Sequence, residues 1–197
     1  MTNAKKIIEI AYNNNGYVTT KQIKNVNIST VELTRLVKQN KLERISRGYY
    51  ALVNTFCDDY YKYQLKSKNC VFSHATALYL YDLSDRTPLY FDMTVPAGYN
   101  GSLRQDKNVV LHYVKREILN LGLTTIDSPF GMKIRTYDVE RTICDIIKAR
   151  KHMDKEIFTK ALQRYSKMKN KDLLKLMKYA KKLNIEKKVI EYMEVLL

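Results

Sequence analysis

The chain has 197 residues, of which 45% are hydrophobic and 28% are charged, and its formal net charge is +15 at pH 7. This much apolar material predicts an ordinary globular protein with a small module and a larger domain. No signal-type stretch follows the start and no apolar run approaches the roughly 20 residues that span a bilayer, so we exclude a membrane protein and expect a cytoplasmic one.

The positive charge lies at the two ends of the chain. Residues 1–53 carry a net charge of +6, residues 54–147 are neutral overall, and residues 148–197 carry +9. A surface that needs charge only for solubility has it spread more evenly. The uneven distribution therefore favours phosphate, and with it nucleic acid, as the counterpart.

Residues 1–53 have the pattern of a winged helix-turn-helix. Apolar residues at helical spacing predict a first helix, which ends at an Asn-rich run. Thr19 with Gln22, and Ser29 with Glu32, have the spacing of a capping box. These two pairs predict the starts of a second and a third helix.

The third helix and a wing offer the predicted DNA contacts. A hairpin is expected between Leu42 and Leu52, with its turn at Gly48, because glycine adopts positive φ readily. Small hydroxyls permit close approach to a groove, Arg reads guanine in bidentate fashion, and Lys neutralises phosphate. The residues predicted to contact DNA on this basis are Thr30, Thr34, Arg35, Lys38, Arg44 and Arg47.

A larger domain is expected to follow the wing, with boundaries at 1–53, 54–70 for a linker or bridging helix, and 71–197. Helix and strand patterns alternate there before three lysine-rich amphipathic helices end the chain. The predicted elements are a helix capped by Ser73, strands at 89–95, 109–116 and 132–137, and a buried helix after Asp138. The fold class is therefore α+β: an N-terminal winged helix-turn-helix followed by a mixed α/β domain ending in a helical bundle.

The sequence predicts no catalytic site, cofactor or metal. The cysteines, which are odd in number and far apart, are Cys57, Cys70 and Cys144. Adjacent Ser73 and His74 are better explained by a helix cap and a partly buried imidazole than by a nucleophile and its base. Arg141 and Asp145, one helical turn apart, predict a structural ion pair. We therefore expect a protein that is not an enzyme.

Three segments give the chain a resemblance to a known family. They are RISRGYY at 44–50, SHATAL at 73–78 and ERTICD at 140–145. Together with the winged-helix pattern, they resemble the AbiEi antitoxins of bacterial type IV toxin-antitoxin pairs, which are linked to abortive phage infection. The resemblance extends over nearly the whole chain, although the last fifty residues match by helical pattern more than by identity.

The resemblance implies a protein with two tasks. The winged helix is expected to bind inverted repeats in the promoter of its own operon and repress it. The C-terminal domain is expected to counter a nucleotidyltransferase toxin without forming a stable complex. Lys21, at the start of the second helix, is a further candidate for phosphate contact. The first candidates for antitoxicity are Lys148, Arg150 and Lys151.

Two other classes of function remain open at this point. One is a nucleic-acid-processing enzyme, such as a nuclease, that uses the winged helix for targeting. The other is an adaptor that binds RNA or protein. We expect a monomer in solution, because the sequence contains no obvious dimerisation helix.

Overall fold

The computed structural model describes residues 2–54 and 58–196. The chain divides into two compact units, Met1–Lys68 and Asn69–Leu197. Each unit has its own cluster of buried apolar side chains.

The first unit has the element order of a winged helix. Its three strands form an antiparallel sheet in the order β1-β3-β2. Its elements are α1 (Asn3–Tyr12), β1 (Tyr17–Thr19), α2 (Thr20–Asn25), α3 (Val31–Lys38), β2 (Leu42–Ser46), β3 (Tyr49–Leu52) and α4 (Asp59–Lys66). The predicted N-terminal architecture is confirmed.

The two predicted capping boxes differ in outcome. At the start of α2 the backbone N–H of Gln22 donates to the Thr19 hydroxyl. The side-chain oxygen of Gln22 accepts from the backbone N–H of Thr19, which confirms the first capping box. The second prediction is wrong, because Thr30 occupies the N-cap of α3. The Ser29 hydroxyl accepts instead from the Val31 N–H, and α3 begins without a side-chain cap.

The helix expected between the two domains lies inside the first unit. The Asp58 carboxylate caps α4 by accepting from the Tyr60 N–H at 2.9 Å. The Tyr17 hydroxyl donates to the Asp58 carbonyl at 2.8 Å, and the Tyr17 and Tyr61 rings meet edge to face. These contacts join α4 to β1 of the three-stranded sheet.

The second unit is built on a mixed sheet. Among the described residues its five strands have the order β6-β5-β4-β8-β7, with parallel pairing at β5/β6 and β4/β8. Its strands are β4 (Val71–Phe72), β5 (Phe91–Pro96), β6 (Val109–Val114), β7 (Leu123–Asp127) and β8 (Lys133–Tyr137). Its helices are α5 (His74–Leu80), α6 (Arg116–Leu119), α7 (Val139–Lys148), α8 (Lys155–Lys167), α9 (Leu173–Lys182) and α10 (Glu186–Leu196).

The helical end of the chain packs around α7. Every residue of α7 from Glu140 to Ile147 is buried. Apolar residues of α8, α9 and α10 join those of α7 in one cluster, so the predicted α+β class with a terminal bundle is confirmed. No helix in the described ranges combines the length and the apolar character that crossing a bilayer requires.

Two of the cysteines lie in the second unit. Cys70 and Cys144 are buried and form no disulfide. Burial raises the pKa of the Cys144 thiol to about 12, so this thiol stays protonated at neutral pH. Cys57 lies outside the described residues.

Candidate nucleic-acid interface

One face of α3 turns into the core of the first unit and the other faces solvent. Leu33 and Leu36 are fully buried. Thr34, Arg35 and Lys38 are exposed on the opposite side, and Thr30 is half-buried at the N-cap. A helix anchored on one side and exposing hydroxyl and cationic groups on the other has the chemistry that reads a major groove.

Arg35 has an acidic neighbour within its own helix. Its Nη1 lies 3.6 Å from Glu32 Oε1, while the Arg35 side chain remains 64% exposed. An exposed pair of this kind contributes at most about 1 kcal/mol, so a phosphate or a guanine edge can displace the carboxylate. Arg35 is therefore available to a nucleic acid.

The wing is a short hairpin that presents both of its arginines to solvent. Arg44 on β2 lies opposite Tyr50 on β3, and the register shifts between Arg44 and Ser46. Arg47 is exposed in the turn that joins the two strands. Gly48, the next residue, has φ +82°, which is the conformation expected from its sequence.

A backbone hydrogen bond ties the tip of the wing to the start of α2. The Thr20 N–H donates to the Gly48 carbonyl at 2.9 Å. A Cβ added at Gly48 would lie 2.9 Å from the Thr20 hydroxyl oxygen, so the approach of the two segments requires glycine. Arg47 therefore precedes Gly48, and Lys21 follows Thr20, so both cations are next to a residue of this contact.

Lys21 is exposed in the first turn of α2, but two backbone donors of that turn are already occupied. The Thr20 N–H bonds to Gly48 and the Gln22 N–H bonds to Thr19. Since α2 has only six residues, little helix dipole remains to attract an anion. Lys21 therefore offers mainly its side-chain charge.

This surface belongs to a segment that matches a described family. Residues 5–53 match the model described as "Transcriptional regulator, AbiEi antitoxin". We call residues 5–53 the AbiEi module, because they match this family. The match includes α1 from Lys5 onward, the wing and every residue predicted to contact DNA.

A solved structure has a fold similar to that of nearly the whole chain. The crystal structure of RV2827C protein from Mycobacterium tuberculosis matches with a TM-score of 0.53 and 13% identity, covering 95% of this chain and 82% of that one. At this identity the likeness concerns the fold alone. No curated protein matches the sequence.

Residue-by-residue reasoning missed one member of the exposed face in the AbiEi module. Val31, at the start of α3, is 70% exposed and shares a helix face with Thr34, Arg35 and Lys38. A search for hydroxyl and cationic side chains on α3 misses Val31, although helical spacing places Val31 on the same face. An exposed methyl pair in this position suits contact with a thymine methyl group.

The predicted antitoxicity residues follow α7 but differ in their surroundings. Lys148 and Lys151 are exposed. Arg150 is half-buried, and its guanidinium lies 4.6 Å from the centre of the Phe158 ring. Arg150 therefore contributes to packing as well as to charge.

The Ser73 and His74 pair is held inside the second unit. Ser73 is completely buried at the N-cap position of α5, but its hydroxyl makes no cap hydrogen bond. It lies 3.0 Å from His74 Nδ1 and accepts from the Thr94 hydroxyl at 2.9 Å. Ser73 therefore occupies the predicted N-cap position but does not cap α5 through its side chain. The Ser73 hydroxyl oxygen is inaccessible to a substrate.

The Arg141 and Asp145 ion pair is confirmed as a buried contact. Arg141 Nε donates to Asp145 Oδ1 at 3.0 Å, and Arg141 is completely shielded from solvent. Arg141 Nη1 also donates to the carbonyls of Ile118 and Leu121. The pair thus joins α7 to the segment around α6.

Proposed function

We propose that the protein is the antitoxin of a type IV toxin-antitoxin pair and regulates its own operon. The AbiEi module binds inverted repeats in the promoter and represses transcription. The second unit counters a nucleotidyltransferase toxin without a stable complex, and the protein performs neither task by catalysis.

The exposed face of α3 beside the wing supports the DNA-binding part of this proposal. Thr34, Arg35 and Lys38 lie on a helix that the core holds from behind, and the excess of positive charge in residues 1–53 favours a polyanion. We assign base contacts to Arg35 and Val31. Phosphate contacts are assigned to Lys21, Lys38, Arg44 and Arg47, and groove contacts to Thr30 and Thr34.

A salt-series gel shift with the full chain tests this assignment. The probe is the DNA upstream of the gene, and a scrambled duplex of the same length is the competitor. Lys38→Ala should weaken binding to both duplexes and lower the salt slope by about one. Arg35→Ala should lose roughly 1–3 kcal/mol on the upstream DNA and much less on the scrambled one.

Lys6→Ala is the matched control, because Lys6 is an exposed lysine on α1, away from α3 and the wing in sequence. It should leave the affinity for the upstream DNA almost unchanged. Equal loss by Lys6→Ala and Lys38→Ala would contradict the assigned surface. Equal affinity of the wild type for both duplexes would contradict specific autoregulation.

Antitoxicity is tested by growth of cells that express the toxin together with variants of this protein. Lys148→Glu and Lys151→Glu reverse charge at exposed positions and should abolish rescue if this cluster acts on the toxin. Arg150→Glu is less informative because it also removes the contact with Phe158. Full rescue by a double variant at 148 and 151 would reject the cluster.

A further inference from the structure

In the described part of the second unit, one edge of the five-stranded sheet is open. The sheet order places β6 at this edge, where it pairs with β5 alone. None of the six residues of β6 is buried, whereas four of the six residues of β5 are. The outer side of β6 is therefore accessible to another strand.

Alternate residues of β6 point their backbone groups away from β5. The carbonyls of Asn108 and Val114 accept from N–H groups at the start of β5 and just beyond its end. Because the hydrogen-bonding direction alternates along a strand, the residues at odd positions face the opposite way. They are Val109, Leu111 and Tyr113. No backbone group outside the sheet, in the ranges that the structure describes, bonds to the backbone of Leu111 or Tyr113.

The side chains of β6 do not protect this open edge. Natural sheets protect an edge with charged residues, proline, a bulge or a very short strand. The sequence of β6 is VVLHYV, which contains no Lys, Arg, Asp, Glu or Pro, and its register with β5 runs without a shift. Val110 is 41% exposed and Tyr113 is 52% exposed. An unprotected edge of this kind is typical of a strand that pairs with another chain.

The opposite edge of the same sheet differs in this respect. It is formed by β7, whose sequence LTTID is polar at three of five positions. Asp127, at the end of β7, forms an exposed ion pair with Lys133 of β8. A strand added at β7 would have to desolvate these groups, which costs free energy. Strand pairing is therefore expected at β6 and not at β7.

We propose that two copies of the chain pair through β6, antiparallel and about a two-fold axis. With Leu111 opposite Leu111 of the second copy, these two residues exchange both of their backbone hydrogen bonds. The Tyr113 N–H then donates to the Val109 carbonyl of the second copy. Since the Val109 N–H already donates to Asp106, the pair gains about four backbone hydrogen bonds. The side chains of Val109 and Tyr113 face each other across the two strands, which is a favourable β-branched and aromatic pair.

The edge is complementary to itself, which favours a second copy as its occupant. Antiparallel pairing of β6 with β6 brings no two charged residues together within the strands, because β6 has none. One surface is enough for a closed two-fold pair, the commonest form of oligomer. Such a pair also matches the two-fold symmetry of the inverted repeats in the proposed operator, although the pairing does not depend on DNA. It needs no dimerisation helix, so the sequence pattern gave no sign of it.

Sedimentation velocity of the full chain, freed of nucleic acid by nuclease, tests the proposal. We expect a reversible dimer with a Kd of roughly 10–300 µM, because one strand pair is a small interface. Lys107 and Lys115 flank β6 and lie opposite each other in the pair, so raising NaCl from about 0.1 to 0.5 M should strengthen the dimer. A chain that stays monomeric up to about 1 mM, as it would if the edge takes a strand of a different protein, would overturn the proposal. So would a dimer that salt dissociates.

Two variants at exposed apolar positions locate the contact. Tyr113→Lys places a charge on the open edge and should weaken the dimer at least about tenfold. The exposure of Tyr113 keeps this change outside the core. Leu123→Lys, at a 38% exposed position of β7, is the matched control and should leave the dimer unchanged. Equal effects of the two substitutions would overturn the assigned edge.

Amide hydrogen exchange of the wild type, followed by NMR at low and high protein concentration, tests the register without any substitution. The N–H groups of Leu111 and Tyr113 point away from β5 and should exchange more slowly as the dimer forms. Those of Val110 and His112, which face β5, should change much less. A dimer that protects neither Leu111 nor Tyr113 would use another surface and would overturn the proposal.

Discussion

Replacing Arg141 with methionine is expected to destabilise the second unit severely. The guanidinium is buried, donates to Asp145 through Nε, and donates to the carbonyls of Ile118 and Leu121 at 3.0 and 2.9 Å. It also lies 4.3 Å from the centre of the Tyr137 ring. Methionine fills a similar volume, so the destabilisation comes mainly from the lost hydrogen bonds and ion pair.

The magnitude follows from the groups that methionine leaves behind. An unpaired buried carboxylate costs about 3–5 kcal/mol, and each abandoned carbonyl adds about 1 kcal/mol or more. We expect a loss of roughly 5 kcal/mol, which is the full stability of a marginal domain. Arg141→Met combined with Asp145→Asn should recover at least about 1 kcal/mol of this loss, because the orphaned charge is gone.

The loss of stability caused by Arg141→Met should also depend on pH. Burial already raises the pKa of Asp145, and loss of the Arg141 charge raises this pKa further. A carboxyl with a raised folded-state pKa favours the folded state at low pH, and this contribution disappears as pH rises through that pKa. The stability difference between Arg141→Met and wild type should therefore shrink as the pH falls from neutral toward about 3.9, the ordinary pKa of an Asp carboxyl.

Hydrogen exchange of the full chain in increasing urea measures both effects. Peptides from α7 report on the second unit, and peptides from α3 serve as the internal reference. Faster exchange confined to α7, with partial recovery in the double variant, is the expected result. A loss below about 1 kcal/mol, or strict additivity of the two substitutions, would refute the assigned role of the pair.

Three further changes should have defined effects. Thr19→Ala removes the cap shared with Gln22 and should destabilise the first unit by about 1 kcal/mol, measured by urea melting, whereas Thr19→Ser should be nearly neutral. Gly48→Ala places a side chain at positive φ against Thr20 and should cost at least about 1 kcal/mol in the same assay. Burial, with His112 and Arg141 nearby, lowers the pKa of His74 well below its usual value, so acidification below about pH 6.5 should destabilise the second unit as the unfolded state takes up the proton. His74→Asn, which tolerates the positive φ of this residue, should reduce that pH dependence in thermal melts, and an unchanged dependence would contradict the assignment.

Local signals made the first unit predictable. The capping box at Thr19 and the turn at Gly48 depend on residues within a few positions of each other. The capping box predicted at Ser29 does not form because both of its side chains have other partners. The Ser29 hydroxyl accepts from the Val31 N–H, and the Glu32 carboxylate lies near Arg35. Spacing alone does not decide between these outcomes.

The second unit depends on contacts that are distant in sequence. The predicted strands are confirmed at Phe91–Pro96, Val109–Val114 and Lys133–Tyr137, with shifted ends. Strand β4 has only two residues and gives no periodic signal, since it exists by pairing with β5 and β8. Strand β7 was also missed.

The stacked pair of imidazoles was hidden for the same reason. His74 and His112 are 38 positions apart, and only the neighbouring positions of α5 and the sheet bring their rings together. Sequence reasoning recognised His74 as a partly buried imidazole but had no means of finding its partner. The Arg141 and Asp145 pair, by contrast, was predictable because one helical turn separates the two residues.

The hydrogen bond between Thr20 and Gly48 has a kinetic and entropic consequence for the first unit. Because the turn of the hairpin is fastened to α2, Arg47 loses little backbone freedom when it meets a duplex. Such a surface does not need to fold around its ligand. Its association should therefore proceed as a single bimolecular step, with a rate set by ionic strength rather than by loop ordering.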